Sequence, residues 1–220
     1  MSSDVYATVR DQMVGNQVRT VAVFREGVLA AMHAVQREQF VPPELRPLAY
    51  ADCALPLPHG KRMLPPQLVG RILQALDPLP GMRALEVGTG SGYLSACLAS
   101  LGAGVRSLEL YPDIAAAARE HLQAARLAGK VEVLEADGMQ LDASGVYDLV
   151  VLTAALAEEQ PRFQRALKVG GRMFVVVGTP PVMEARLVRR TGEQQFLGKT
   201  LFETCIEPLE HVPAPAPFRF

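Results

Sequence analysis

Residues 83–110, RALEVGTGSGYLSACLASLGAGVRSLEL, constrain the fold more than any other stretch of this chain. A short apolar run, Ala84, Leu85 and Val87, leads directly into Gly88-Thr89-Gly90-Ser91-Gly92. Leu94, Leu98 and Leu101 follow at spacings of four and three, which puts them on one face of a helix. A second strand then ends at Glu109. Glycines at alternate positions let backbone approach a ligand closely, and a helix N-terminus offers that ligand unpaired N–H groups. An acidic residue closing the next strand, roughly 20 residues past the turn, accepts hydrogen bonds from a ribose diol. Strand, glycine turn, helix and acid together predict a βαβ unit that binds an adenosine-containing cofactor.

The residues also discriminate between cofactors. The dinucleotide fingerprint G-x-G-x-x-G/A ends on a small residue that allows close helix–strand packing. Here that position is Tyr93, and the third glycine, Gly92, falls one place early. Glu86, ahead of the first glycine, sits badly beside a pyrophosphate and suits a cationic ligand, such as the ammonium and sulfonium of S-adenosylmethionine. The pattern E-x-G-x-G-x-G resembles motif I of the class I methyltransferases, so S-adenosylmethionine is expected over NAD. Glu86, Gly88, Thr89, Gly90, Ser91 and Gly92 are its expected contacts in the turn, with Glu109 on the ribose. Asp137 and Gly138 close a later strand, at the sheet end where open α/β folds bind ligands. There Asp137 either accepts the adenine amino group or forms an ordinary Asp-Gly turn.

The remaining periodicity places this unit in a larger sheet. Val5, Val9 and Met13 predict a helix over about 5–20, and Val23, Leu29, Met32 and Val35 a second that ends near Gln36. Residues 37–66 carry Pro42, Pro43, Pro47, Pro56, Pro58 and Pro65, a density that excludes regular helix and central strand. Phe40, Tyr50 and Leu57 argue that this long loop packs over the cofactor site. A helix is expected over 67–76. Pro112 starts another, with Ile114, Ala118, Leu122 and Ala125 as its buried stripe and Gly129 as its cap. Strands are expected over 131–134, 149–152 and 173–177, with a helix over 159–167 ending at Gly170-Gly171. Residues 185–189 and 200–206 alternate like a hairpin. The expected fold is an α/β, Rossmann-like, doubly wound and mostly parallel sheet, with an N-terminal helical extension and an antiparallel C-terminal edge. It forms a single domain over 1–220, with 1–66 as helices and a proline-rich substrate-side segment and 67–220 as the cofactor-binding core. The proline-bearing tail APAPFRF at 214–220 reads as a frayed end or a docked strand.

Composition narrows the function. About half of the 220 residues are hydrophobic and the formal net charge is −1, which gives no support to a nucleic-acid or anionic-membrane surface. No apolar run reaches 18 residues, and the N-terminus lacks the layout of a signal peptide. Cys53, Cys97 and Cys205 show no metal or disulfide spacing and are expected as buried free thiols in a cytoplasmic protein, with no metal site.

From Met13 to about residue 180 the sequence resembles the protein-L-isoaspartate O-methyltransferase family. The resemblance rests on Arg37-Glu38-x-Phe40-Val41-Pro42, Ala49-Tyr50-x-Asp52, Ala54-Leu55-Pro56 and the run from Leu85 to Tyr93. Asp137-Gly138, Thr153-Ala154-Ala155 and Gly170-Gly171-Arg172 add to it. It implies S-adenosylmethionine-dependent methylation of the free α-carboxylate of L-isoaspartyl residues in damaged proteins or peptides, a repair reaction. It also implies an acceptor pocket that includes Asp52 and Thr153. One stretch departs. Where the family has a Gly-Gln-Thr-Ile-Ser-Gln-Pro-like run, this chain has Gly60-Lys61-Arg62-Met63-Leu64-Pro65-Pro66. The family serine is Leu64, which neither donates nor accepts a hydrogen bond, and the threonine is Arg62. Lys61 and Arg62 suit an anionic acceptor or are solvated loop cations, and His59 is a candidate base for a neutral acceptor. Three readings therefore stand: isoaspartyl methylation, methylation of another acceptor, and cofactor binding without catalysis.

Overall fold

A computed structural model describes residues 3–213; the tail at 214–220 lies outside them. The central layer is a seven-stranded sheet in the order β5-β4-β3-β6-β7-β8-β9. Its strands are β3 (Arg83–Val87), β4 (Gly104–Glu109), β5 (Val131–Glu135), β6 (Tyr147–Leu152), β7 (Leu167–Thr179), β8 (Val182–Arg190) and β9 (Phe196–Glu203). The first five of these run parallel, and β7, β8 and β9 pair antiparallel at one edge. The chain winds from β3 out to β5, then returns to place β6 on the other side of β3. That reversal makes the carboxyl ends of β3 and β6 the switch point where such sheets bind ligands.

Burial follows the pleat. Leu149 and Val151 face one core and Val150 and Leu152 the other, all fully buried, as expected for a parallel strand covered on both faces. The first core is closed by α2 (Glu26–Ala34), α3 (Pro66–Leu76), α4 (Tyr93–Ser100) and α5 (Pro112–Ala124), together with α1 (Ser3–Gln12). The second is covered by α6 (Pro161–Ala166). α1 runs on through a π-helical turn, Met13–Val18, whose buried Val18 packs on α3 at Gly70. The proline-rich region contains only 3₁₀ turns and a two-residue pair, β1 (Leu55–Pro56) with β2 (Arg62–Met63).

Several expectations are corrected by packing. Leu94 and Leu98 are buried, but so is every residue of α4 from Tyr93 to Ala99, and Leu101 lies beyond the helix end. This short helix is surrounded, so the leucine spacing marks no special face. α5 ends at Ala124, and Arg126, not Gly129, takes the left-handed conformation after it. β7 begins at Leu167, six residues before Met173, because Gly170-Gly171 sits inside the strand near a register shift rather than ending a helix. β9 stops at Glu203, so 204–206 is not strand. Cys97 is buried, while Cys53 and Cys205 are exposed free thiols.

Candidate functional site

A cavity of about 540 Å³ opens at the carboxyl ends of β3, β4, β5 and β6. Its floor is the glycine turn. Gly88, Gly90 and Gly92 adopt φ values of 92°, 53° and 85°, conformations in which a side chain is strained. Gly88 has a second reason to be glycine: a Cβ there would overlap the Thr153 hydroxyl. That hydroxyl donates to the Gly88 carbonyl at 2.6 Å and so clamps the turn to the end of β6.

The Glu109 carboxylate is aimed from two sides. Its Oε2 accepts from the Gly90 N–H at 2.9 Å and its Oε1 from the Tyr111 N–H at 3.2 Å. Two backbone donors on a 5 % exposed carboxylate fix its orientation at the cavity wall. Asp137 makes the turn contact expected of it and also lines the cavity. Oδ1 accepts from the Met139 N–H at 2.8 Å, as a turn-capping Asp does, while the residue lines the cavity and Oδ2 pairs with His211 Nδ1 at 2.9 Å.

The expected cofactor contacts divide here. Gly88, Gly90, Glu109, Asp137 and Gly138 line the large cavity. Glu86, Thr89 and Ser91 face only a smaller void of about 30 Å³ behind the turn. Gly92 faces neither, and a Cβ on it would meet Ala118 and Leu122 of α5. Glu86 is fully buried, accepts from the Ser107 hydroxyl at 2.6 Å and from Ser95, and leaves its Oε1 without a partner. Burial pushes its pKa up to about 7, against the pull of the two hydroxyls.

On the acceptor side Thr153, Arg62 and Leu64 line both voids. Asp52 does not. It is exposed and its Oδ1 accepts from Gln67 N–H at 3.4 Å, near the start of α3, so Asp52 lies outside the lining of both voids. Leu64 is held through its backbone: the fully buried Arg37 donates to the Leu64 carbonyl at 2.8 Å and to the Ala49 carbonyl at 2.7 Å. The Arg37 guanidinium lies 4.8 Å from the Tyr93 ring centroid, and burial lowers its pKa. His59 stacks on Tyr111 with centroids 4.2 Å apart and rings within 7° of parallel, its Nε2 2.9 Å from Asp113.

The cations and the roof come together where no sequence pattern suggested it. Residues 204–210 also line the cavity. Glu207 takes Arg62 Nε at 3.2 Å, and Glu210 takes Lys61 and the Tyr111 hydroxyl. The pair with Lys61 holds the Glu210 carboxyl below the usual range and the ammonium above it. Lys61 and Arg62 are thus paired within the chain rather than free. Tyr111 was the legible omission, two residues past Glu109. Among the described residues no group of three or more His, Cys, Asp and Glu is gathered as a metal would require, and no helix is long and apolar enough to cross a membrane.

The family model described as protein-L-isoaspartate(D-aspartate) O-methyltransferase matches residues 8–212. A protein-L-isoaspartate O-methyltransferase of Methanoculleus marisnigri is 39 % identical over 212 residues, covering 95 % of this chain and 94 % of that one. One of Aeropyrum pernix is 38 % identical over 211 residues, 94 % of this chain and 81 % of its own. Among solved structures, a Plasmodium falciparum protein-L-isoaspartate O-methyltransferase candidate in complex with S-adenosyl-L-homocysteine superposes with a TM-score of 0.79 at 18 % identity, covering 93 % of this chain and 98 % of that one.

Proposed function

The chain belongs to the protein-L-isoaspartate(D-aspartate) O-methyltransferase family, and from that membership we infer that it methylates the free carboxylate of L-isoaspartyl residues in proteins, with S-adenosylmethionine as cofactor. The observation that carries the cofactor side is the Glu109 carboxylate, held by the Gly90 and Tyr111 amides at the wall of a cavity floored by the glycine turn. The residues fit the group. Gly88 and Gly90 present backbone without side chains, Glu109 accepts from a diol, and Asp137 keeps lone pairs for an amino group. The buried Glu86 behind the turn adds negative potential in its ionised form, which favours a cation in front of it.

When bound, S-adenosylmethionine supplies an electrophilic methyl group on a sulfonium. An acceptor carboxylate is already ionised at neutral pH, so no base is required. The protein's work is positioning and exclusion of water. Thr153 spends its hydroxyl proton on Gly88, so it shapes the turn and has no donor left for a carboxylate. Leu64 gives an apolar wall. Arg62 retains N–H groups beyond the Nε that meets Glu207, and a guanidinium pairs well with a carboxylate. We assign it the acceptor. Asp52 has no part in this arrangement.

The test is isotopic methyl transfer to an isoaspartyl peptide, with the aspartyl peptide as control and a calorimetric titration of the cofactor. Transfer to the isoaspartyl peptide alone is expected. Cofactor binding with no transfer would move the acceptor elsewhere, the reading that Leu64 favours, and no binding would remove the enzyme reading altogether.

A further inference from the structure

Arg37 is fully buried, and its guanidinium is spent on backbone rather than on a carboxylate. Nε donates to the Ala49 carbonyl and Nη2 to the Leu64 carbonyl, while Nη1 has no partner. Burying a cation is expensive, and apolar residues of similar volume often fill such a place at no loss of stability. Packing alone therefore gives no reason for an arginine here. What the guanidinium holds does.

Leu64 is a joint that its own neighbours fix poorly. The ladder of β1 with β2 pairs Pro56 with Arg62 and Leu55 with Met63, and it stops one residue short of Leu64. Pro56 brings no N–H to that ladder. Beyond Leu64 come Pro65 and Pro66, which opens α3. The Leu64 carbonyl is held instead by Arg37, 27 positions away. Arg62 and Leu64 both line the large cavity and the small void, so a shift of this joint moves the whole acceptor wall. The other end of the brace is the Tyr93 ring, which follows the glycine turn, lies 4.8 Å from the guanidinium and is packed edge-on by Phe40 at 5.6 Å. The cofactor carboxylates are aimed separately, Glu109 by the Gly90 and Tyr111 amides and Asp137 by the Met139 amide.

We propose that Arg37 is the positioning residue of the acceptor site: it holds the Arg62–Leu64 wall at a fixed distance from the glycine turn, and so sets affinity for the isoaspartyl peptide without setting affinity for the cofactor. This rests on the function proposed above. Arg37 touches neither ligand, and it acts through the Leu64 carbonyl and the Tyr93 ring.

The experiment uses the full chain with Arg37→Met, which fills the space without donors, and Arg37→Lys, which keeps the charge and can restore one of the two bonds. Isotopic methyl transfer to an isoaspartyl peptide gives KM and kcat, and calorimetric titration of S-adenosyl-L-homocysteine gives the cofactor affinity. Arg37→Met should raise the peptide KM about tenfold, the scale of one hydrogen bond to a charged group, with kcat within about threefold and the cofactor dissociation constant within about twofold. Arg37→Lys should recover part of the loss. Hydrogen exchange, which needs no ligand, should show the Arg62 and Met63 amides exchanging faster in both variants while those of β3 and β6 do not change. An unchanged KM would overturn the proposal. So would a peptide KM and a cofactor dissociation constant that rise together, the sign of general loosening, or a lysine variant no better than the methionine one. Should Arg37→Met not fold, the lysine variant decides by the same KM and exchange readings. Absence of methyl transfer in the unsubstituted protein would overturn the function proposed above, and unchanged exchange at Arg62 and Met63 overturns the role of Arg37 independently of it.

Discussion

Glu86 shows how one buried group writes itself into the pH dependence of the whole chain. Its pKa rises from 4.5 to about 7 on folding, so the folded state binds the proton more tightly than the unfolded one. Stability from this group is therefore complete below about pH 4.5 and is lost as pH climbs to about 7. Glu86→Gln keeps an acceptor oxygen for Ser95 and Ser107 and removes the charge. Above pH 7 the variant should be more stable than the parent by up to about 3 kcal/mol, and the gap should close toward pH 4.5. Urea unfolding across that range measures it, and a constant gap would mean that burial does not set this pKa. Leu64 is the other telling residue. Returning a hydroxyl with Leu64→Ser should raise isoaspartyl methylation by about tenfold, the low end of what a hydrogen bond to a charged group contributes. No gain would place the acceptor carboxylate out of reach of position 64, leaving it to Arg62.

The glycine turn was readable because everything that defines it is local: an apolar strand, alternate glycines and an acid at the next strand end. Its finer division was not. Gly92 looks like Gly88 in the sequence, yet one packs on α5 and the other meets Thr153, a residue 65 positions away. Gly88→Ala therefore carries two costs, a backbone held at φ 92° and a collision with the Thr153 hydroxyl. Gly90→Ala carries mainly one, since φ 53° is a left-handed value that other residues tolerate and its nearest neighbour is Leu57 at 3.4 Å. A left-handed alanine costs about 1–2 kcal/mol, so the Gly90 variant should lose about that much in denaturant unfolding and the Gly88 variant clearly more. Equal losses would show that the Thr153 clamp yields freely. The same limit explains Asp52. Its neighbours matched a family pattern, but where a loop carboxylate points depends on what docks beneath it.

Across the whole molecule the N-terminal segment and the sheet share one core. Val18 packs on α3, and Arg37 reaches from the first segment to fasten Leu64 beside the cavity. We expect one cooperative transition for the chain. Cys97 offers a way to watch it: burial pushes its thiol up to about 12, while Cys53 and Cys205 stand exposed. A chromogenic thiol reagent should label Cys53 and Cys205 in the native protein, and Cys97 only along the same denaturant curve that far-ultraviolet dichroism traces. Early labelling of Cys97 would divide the chain into separately melting parts. The doubly wound, mostly parallel sheet and its antiparallel edge were legible from alternating strand and helix patterns. The roof over 204–211 was not, because it is held by ion pairs between residues up to 149 positions apart, and no periodicity records them. The stack of His59 on Tyr111 at the cavity wall carries one more consequence. The chain has five tyrosines and no tryptophan, so its intrinsic fluorescence comes from tyrosine alone and one emitter sits in the site. Ligand arrival can be read from the unmodified protein's own light, and an acceptor peptide bearing a tryptophan can be excited against a dark background.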